Sequence, residues 1–120
     1  MKKLEEEAKK FMQLHNKSMM TADEYQRKAR ETAIYPKKEA LPYLSLGLVS
    51  EAGEVAGKVK KLIRDGTESD VASEVGDVLW YCAMLASEVG VSLGKIMENN
   101  LEKLNDRKQR GKLQGSGDTR

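Results

Sequence analysis

The sequence predicts an all-α fold with a four-helix-bundle-type core, and three observations lead to this prediction. No segment alternates apolar and polar residues with a period of two, and β-branched residues do not cluster between turn signals. The apolar residues instead recur at helical spacing in segments that capping residues, Gly or Pro delimit. Charged residues make up 33% of the chain and aromatic residues 5%, which is typical of a helix-rich protein with a modest core.

The first segment, residues 1–19, is predicted to be a helical or partly disordered N-terminal extension. It is rich in charge, and its apolar residues are only loosely spaced. These apolar residues are Leu4, Phe11, Met12 and Leu14. We therefore expect the folded domain to comprise residues 20–120.

Two helices are predicted in the first half of that domain. The first begins at the capping box of Thr21 and Glu24 and runs to about Ala33, before the helix-ending pair Tyr35-Pro36. The second runs from about residue 42, a proline that suits a first helical position, to about residue 64. The pair Asp65-Gly66 then ends it as a C-cap.

Two further helices are predicted in the second half. The third begins near Ser69 or Asp70, runs to Val89 and ends at Gly90. The fourth runs from 93 to about 110 after a Ser cap. The remaining tail is rich in Gly and Ser and is expected to be a flexible loop.

The third helix is apolar around nearly its whole circumference. At 100° per residue, one apolar stripe forms the predicted buried face, and Trp80 and Met84 fall on roughly the opposite side. The stripe comprises Val71, Val75, Val78, Leu79, Cys82, Leu85, Ala86 and Val89. A helix of this kind is buried from more than one direction, so we predict a homo-oligomer with Trp80 at the interface. A lid formed by the N-terminal extension is the alternative.

Composition excludes several classes of function. A net charge of +2 is too small to indicate a nucleic-acid-binding protein, and no uncharged run is long enough to span a membrane. No signal peptide is apparent, and the single Cys82 favours a reducing compartment, so we expect a cytoplasmic protein. With His15 as the only histidine, Cys/His zinc sites and Ser-His-Asp triads are excluded.

Two segments of the domain repeat each other. Ser50-Glu51-Ala-Gly-Glu54-Val is followed by Ser73-Glu74-Val-Gly-Asp77-Val, and in each segment the acids are three residues apart on one helical face. A third copy at Glu88 lacks the second acid. If the two helices pack antiparallel, the four carboxylates come to one edge. Glycines within these helices also suggest a close approach of backbones.

Four neighbouring carboxylates repel one another unless a cation neutralises them. Two unit charges about 4 Å apart repel by roughly 4 kcal/mol at an effective dielectric constant of 20. Oxygen ligands without His or Cys favour Mg²⁺, with Mn²⁺ as a substitute. Glu51, Glu54, Glu74 and Asp77 are therefore candidate metal ligands.

The same motif resembles that of a known family. Glu51-x-x-Glu54, nineteen residues, and Glu74-x-x-Asp77 are similar to the signature of MazG-type nucleotide pyrophosphohydrolases, which belong to the all-α NTP pyrophosphohydrolase superfamily. The similarity extends from about residue 21 to residue 120. It implies a Mg²⁺-dependent enzyme that cleaves nucleoside triphosphates between the α and β phosphates. It also implies that the four acids bind metal and that Glu51 or Glu54 activates water.

Substrate-binding residues follow in part from the resemblance. Relatives use Asn and Lys near the phosphates, which indicates Asn100 and Lys103, with Arg107 on the same helical face. Tyr81 lies on the flank shared with Glu74 and Asp77 and is a candidate to stack on the base. Two alternatives stay open: a dUTP- or phosphoribosyl-ATP-type enzyme of the same superfamily, and a non-catalytic helical oligomer with a structural cation site.

Overall fold

The computed structural model describes residues 1–15, 20–66 and 68–120 and is all-α in these ranges. It contains α1 (Lys2–His15), α2 (Ala22–Arg30), a 3₁₀ turn (Lys37–Glu39), α3 (Ala40–Asp65), α4 (Val71–Glu88) and α5 (Leu93–Gln109). No strand occurs in the described ranges, which confirms the predicted fold class. Residues 16–19 of the predicted extension, and the side chains of Leu14 and His15, lie outside what is described.

The helix ends are fixed by local capping, largely where the sequence predicts it. Three side chains accept hydrogen bonds from backbone N–H groups in the first turns of α2, α4 and α5; they are Thr21, Asp70 and Ser92. Gly66 ends α3 with a φ of 67°, and its N–H donates to the carbonyl of Leu62 at 2.8 Å. α3 begins two residues earlier than predicted, and α2 ends about three residues earlier.

α1 lies beside the end of α3. Lys3 Nζ is 2.7 Å from a carboxylate oxygen of Glu68 in the α3–α4 connection, and Leu4 lines a cleft together with Leu62 and Ile63. The described part of the N-terminal extension is helical from Lys2 to His15. The division into an extension of 1–19 and a domain of 20–120 stays a prediction.

α4 lies at the centre of the fold and packs against α2, α3 and α5. The core around it is formed by small and medium-sized apolar side chains: Ala29, Leu44, Ala83, Met84, Ala86 and Leu93. α3 and α5 do not pack against each other in the described part of the chain. The complete four-helix-bundle arrangement therefore stays a prediction.

One buried amide connects α2 to the turn between α4 and α5. The Nε2 group of Gln26 donates to Ser87 Oγ at 3.0 Å and to the carbonyl of Val91 at 3.1 Å, while its Oε1 accepts from the N–H of Leu93 at 2.7 Å. Gln26 is only 8% exposed, so these bonds satisfy a side chain that would be costly to bury alone.

The predicted buried face of α4 was wrong in part. Ala86 is buried, but Val75 and Leu79 are 50% and 43% exposed, whereas Met84 on the predicted opposite side is fully buried. Trp80 packs within the chain, because its Nε1 donates to Thr32 Oγ1 at 2.8 Å. Periodicity locates apolar stripes, but it does not tell which of two apolar sides meets the neighbouring helices.

Among the helices that the structure describes, none combines the length and apolar character needed to cross a bilayer.

Candidate active site

The two acidic motifs face each other across the α3–α4 pair. Tyr81 of α4 covers Gly47 of α3, while Lys58, eleven residues later on α3, bonds to Glu74, earlier on α4. The two helices are therefore antiparallel, as the motif analysis requires.

Three of the four predicted ligands converge, and we call them the acidic cluster: Glu51, Glu74 and Asp77. One carboxylate oxygen from each lies within 4.8 Å of the other two. Glu51 and Glu74 are half-buried and Asp77 is exposed. Glu54 is exposed and does not belong to this group of three. Such an arrangement is electrostatically unfavourable until a cation joins it.

The electrostatics of the acidic cluster are visible in the pKa of Glu51. Burial raises this pKa, and the negative charges of Asp77, Glu74 and Glu54 raise it further. Glu54 therefore acts on the cluster through its charge even though it lies outside the group of three. A carboxylate whose pKa is raised is also a stronger base, which suits it to accept a proton from water.

A lysine that the motif analysis missed contacts the acidic cluster. Lys58 Nζ is 3.0 Å from Glu74 Oε1, and the same ammonium donates to the carbonyl of Asp70 at 3.3 Å. The hydrogen bond to Glu74 raises the pKa of Lys58. The signal was present in the sequence, since Lys58 follows Glu51 by seven residues and Glu54 by four, which places all three on one helical face.

Tyr81 lies next to the acidic cluster, on the flank that the sequence indicates. Burial raises its pKa, and the charges of Tyr43, Glu51 and Asp77 contribute. Its ring occupies the space where a Cβ of Gly47 would lie, so the glycine is required by a side chain and not by the predicted close approach of backbones.

The other motif glycines behave differently. A Cβ added at Gly53, Gly57 or Gly76 would meet no atom within 4 Å in the described part of the chain. Their absence of side chains therefore has no explanation in the packing of one chain.

Aromatic side chains extend from Tyr81 away from the acidic cluster. The ring of Trp80 meets that of Tyr81 edge-on at 5.0 Å and that of Tyr35 at 6.4 Å, and Tyr35 in turn stacks on Tyr43 at 6.0 Å. The four rings thus form one continuous series of contacts, in which Tyr81 is the member that interacts with charges of the acidic cluster.

The third copy of the motif does not join this site. The carboxylate of Glu88 accepts hydrogen bonds from Arg30 at 3.1 Å and from the hydroxyl of Tyr35. Glu88 thus connects α4 to α2, and these two bonds lower its pKa, with the tyrosine contributing most.

The acidic cluster suits a hard divalent cation. All three of its side chains offer carboxylate oxygens, which are the ligands that Mg²⁺ and Mn²⁺ prefer. The partial burial of Glu51 and Glu74 reduces competition from bulk water, and Asp77 keeps the cluster open to solvent. This donor set can hold a cation and leave positions for phosphate oxygens.

The predicted phosphate-binding residues have other partners. Lys103 Nζ is 3.4 Å from Asp118 Oδ1, and Arg107 donates to the carbonyl and to Oδ1 of Asp118 at 2.8 and 3.3 Å. Asn100 is exposed. All three residues lie on α5, which does not pack against α3, the helix that supplies Glu51.

The C-terminal tail forms a loop that contacts α5, and its predicted flexibility stays a prediction. The guanidinium of Arg120 donates to the carbonyls of Lys112, Leu113 and Gly117 at 2.6–3.2 Å. Arg110 in turn donates to the carbonyl of Arg120 at 2.7 Å. Together with the bonds to Asp118, these contacts connect the tail to α5.

A helical protein with paired acidic motifs on two antiparallel helices fits the class of all-α nucleotide pyrophosphohydrolases. A family model described as the MazG nucleotide pyrophosphohydrolase domain matches residues 41–111, which is more than half of the chain. The chain therefore belongs to the MazG family.

One curated relative is similar over nearly the whole chain. The Gene 37 protein of Mycobacterium phage L5 is 46% identical over 114 residues, which cover 84% of this chain and 100% of the relative. No solved structure matches the chain significantly.

Proposed function

We propose that the protein is a Mg²⁺-dependent pyrophosphohydrolase that cleaves (d)NTPs between the α and β phosphates, releasing a (d)NMP and pyrophosphate. The observation that carries this proposal is the convergence of Glu51, Glu74 and Asp77 within a MazG domain. Triphosphates are polyanions, and a cluster of carboxylates binds them only through a shared cation.

In this proposal Glu51, Glu54, Glu74 and Asp77 hold Mg²⁺, for which Mn²⁺ can substitute. Bound there, the cation supplies charge neutralisation for the triphosphate and a lowered pKa for the attacking water. Glu51 or Glu54 orients that water and accepts its proton. The raised pKa of Glu51 supports the choice of Glu51.

The remaining substrate contacts are proposed as the sequence predicts them. Tyr81 stacks on the base, and Asn100, Lys103 and Arg107 bind phosphate oxygens. In the single chain Lys103 and Arg107 bind Asp118, so phosphate binding requires that Asp118 give up these contacts. We propose that the reaction takes place in the cytoplasm, where nucleoside triphosphates are abundant. The lone thiol of Cys82 is consistent with the reducing conditions of that compartment.

We also propose that the chain assembles as a homodimer or homotetramer. Exposed apolar residues on α3 and α4 support this, since exposed patches of this kind mark interaction surfaces. They include Leu46, Val49, Val75 and Leu79. Membrane contact forms no part of the proposal, and nucleic-acid binding is disfavoured by the small net charge.

Substrate choice separates this proposal from its two alternatives. A dUTP-specific or phosphoribosyl-ATP-specific enzyme would turn over only that compound, whereas a non-catalytic oligomer with a structural cation site would turn over none. A panel of the common NTPs and dNTPs with phosphoribosyl-ATP, each assayed for pyrophosphate release in Mg²⁺, distinguishes the three.

Site variants test the assignment directly. Glu51→Gln should lower turnover of the best substrate at least about 100-fold, because even residues behind metal ligands contribute 10–100-fold. The matched control is Glu98→Gln, an exposed acid on α5, which should keep full activity. Wild-type turnover that survives in Glu51→Gln and in Asp77→Asn would refute the site, and no pyrophosphate from any substrate would refute the function.

A further inference from the structure

The ammonium of Lys58 lies in the position of a counter-ion to the acidic cluster. It forms an ion pair of 3.0 Å with Glu74, and the side chains of the two residues are only 29% and 15% exposed. Glu74 is thereby the one carboxylate of the acidic cluster with a cationic partner among the described residues. A second contact, 3.3 Å to the carbonyl of Asp70, places the ammonium between α3 and the start of α4.

This contact changes the charge balance of the site. The acidic cluster carries three negative charges when ionised, and Glu54 and Asp70 add two more in its surroundings. Lys58 offsets one of these charges at the half-buried Glu74, where repulsion is least screened by water. Without bound metal, Lys58 therefore provides the positive charge next to Glu74.

We propose that Lys58 is a positioning residue that acts as an internal counter-cation: it holds Glu74 in the metal-free protein and releases this carboxylate when a divalent cation binds. The proposal rests on the proposed function, since it requires that the acidic cluster bind such a cation. It goes beyond that function because it assigns a role to a residue outside the paired acidic motifs.

Two properties allow a divalent cation to replace the Lys58 ammonium at Glu74: the charges of the two cations and the flexibility of the lysine side chain. A lysine ammonium and a divalent cation on the same carboxylate repel each other. The four-carbon stem of lysine is flexible and its ammonium is strongly hydrated, so Lys58 can move into solvent. The backbone of Lys58 stays in place, because its carbonyl accepts a separate hydrogen bond from Ser69 Oγ at 3.2 Å.

The test compares three variants, with Mn²⁺ alone as the probe. Lys58→Met removes the ammonium, Lys58→Arg retains a cation, and Lys60→Met is the matched control at an exposed position two residues away, on a different side of α3. Calorimetric titration gives the affinity for Mn²⁺ without substrate, and thermal unfolding in EDTA gives the stability of the metal-free protein.

Lys58→Met should bind Mn²⁺ roughly three- to tenfold more tightly than the wild type, as expected when a competing ion pair is removed. Its Tm in EDTA should fall below that of Lys60→Met, and saturating Mn²⁺ should abolish most of this difference. Lys58→Arg should resemble the wild type in both measurements.

An unchanged or weaker Mn²⁺ affinity of Lys58→Met would overturn the proposal, because Lys58 would then not compete with the cation. A Tm in EDTA equal to that of Lys60→Met would overturn it equally. Neither result bears on the proposed function, which is decided by pyrophosphate release from the wild type.

Discussion

The acidic cluster and the C-terminal segment, which we define as residues 103–120, place charged groups in opposite ways. In the acidic cluster, three carboxylates face one another, and one lysine contacts one of them. In the C-terminal segment, two cations contact the carboxylate of Asp118, and the guanidinium of Arg120 is bonded to backbone carbonyls.

The difference separates a site from a structural element. In the C-terminal segment, Lys103 and Arg107 are attracted to Asp118, and these contacts stabilise the fold in the absence of a ligand. The carboxylates of the acidic cluster repel one another, and this repulsion is unfavourable to the protein without a cation. Charge arrangement therefore distinguishes residues that await a ligand from residues that hold the chain together.

The largest expected effect in the C-terminal segment is that of Arg107→Met. The Arg107 side chain is only 6% exposed and makes two bonds to Asp118. Its removal should lower the free energy of unfolding by roughly 2 kcal/mol, as for other hydrogen bonds to charged groups. Urea denaturation measures this loss. Arg27→Met, at an exposed position of α2, is the control, and equal losses in both variants would contradict the structural role of Arg107.

Replacing one carboxylate by its neutral amide is expected to have a smaller effect on stability, with opposite signs in the two regions. Glu51→Gln removes a repelling charge and should raise the Tm in EDTA by roughly 1–3 °C, whereas Asp118→Asn removes an attractive one and should lower it by a similar amount. Thermal unfolding with and without Mg²⁺ measures both shifts. A decrease in Tm for both variants would show that the acidic cluster is not under repulsion.

The smallest effect is the dependence of these differences on pH. The pKa of Glu51 is raised, chiefly by burial, so its cost to the folded state is relieved as the pH falls from 7 through that pKa, and the advantage of Glu51→Gln should shrink. The pKa of Asp118 is lowered, chiefly by Arg107, so its stabilisation should persist to about pH 4 and be lost only below it. Tm values in EDTA between pH 7 and pH 3 test this prediction. It would be contradicted if the Tm difference of Asp118→Asn disappeared at a higher pH than that of Glu51→Gln.

Most of the fold could be predicted from short-range signals. The caps at Thr21 and Ser92 and the left-handed Gly66 depend only on residues within one turn, and the structure has each of them where the sequence indicates. The convergence of Glu51, Glu74 and Asp77 was also predictable, because helical spacing and an antiparallel pair determine it.

What could not be predicted depends on contacts between distant residues. The partners of Gln26 lie more than sixty residues away, and nothing local to α2 indicates them. Which side of α4 is buried also depends on the neighbouring helices. Both sides are apolar, and only the packing of the helices buries Met84 and leaves Val75 exposed. Arg107 was assigned to phosphate because it shares a helical face with Lys103, and its contact with Asp118 became visible only in three dimensions.

The contact between Tyr81 and Gly47 bears on which metal the proposed site would accept. One helical turn before Glu51, the ring of Tyr81 on α4 lies against the bare backbone of α3, where a side chain at position 47 would push it away. Mg²⁺ demands short and nearly invariant distances to its oxygen ligands, whereas the larger Ca²⁺ adapts to wider ones. The preference for Mg²⁺ over the larger Ca²⁺ is thus expected to depend on Gly47, a residue that has no side chain and is not a metal ligand.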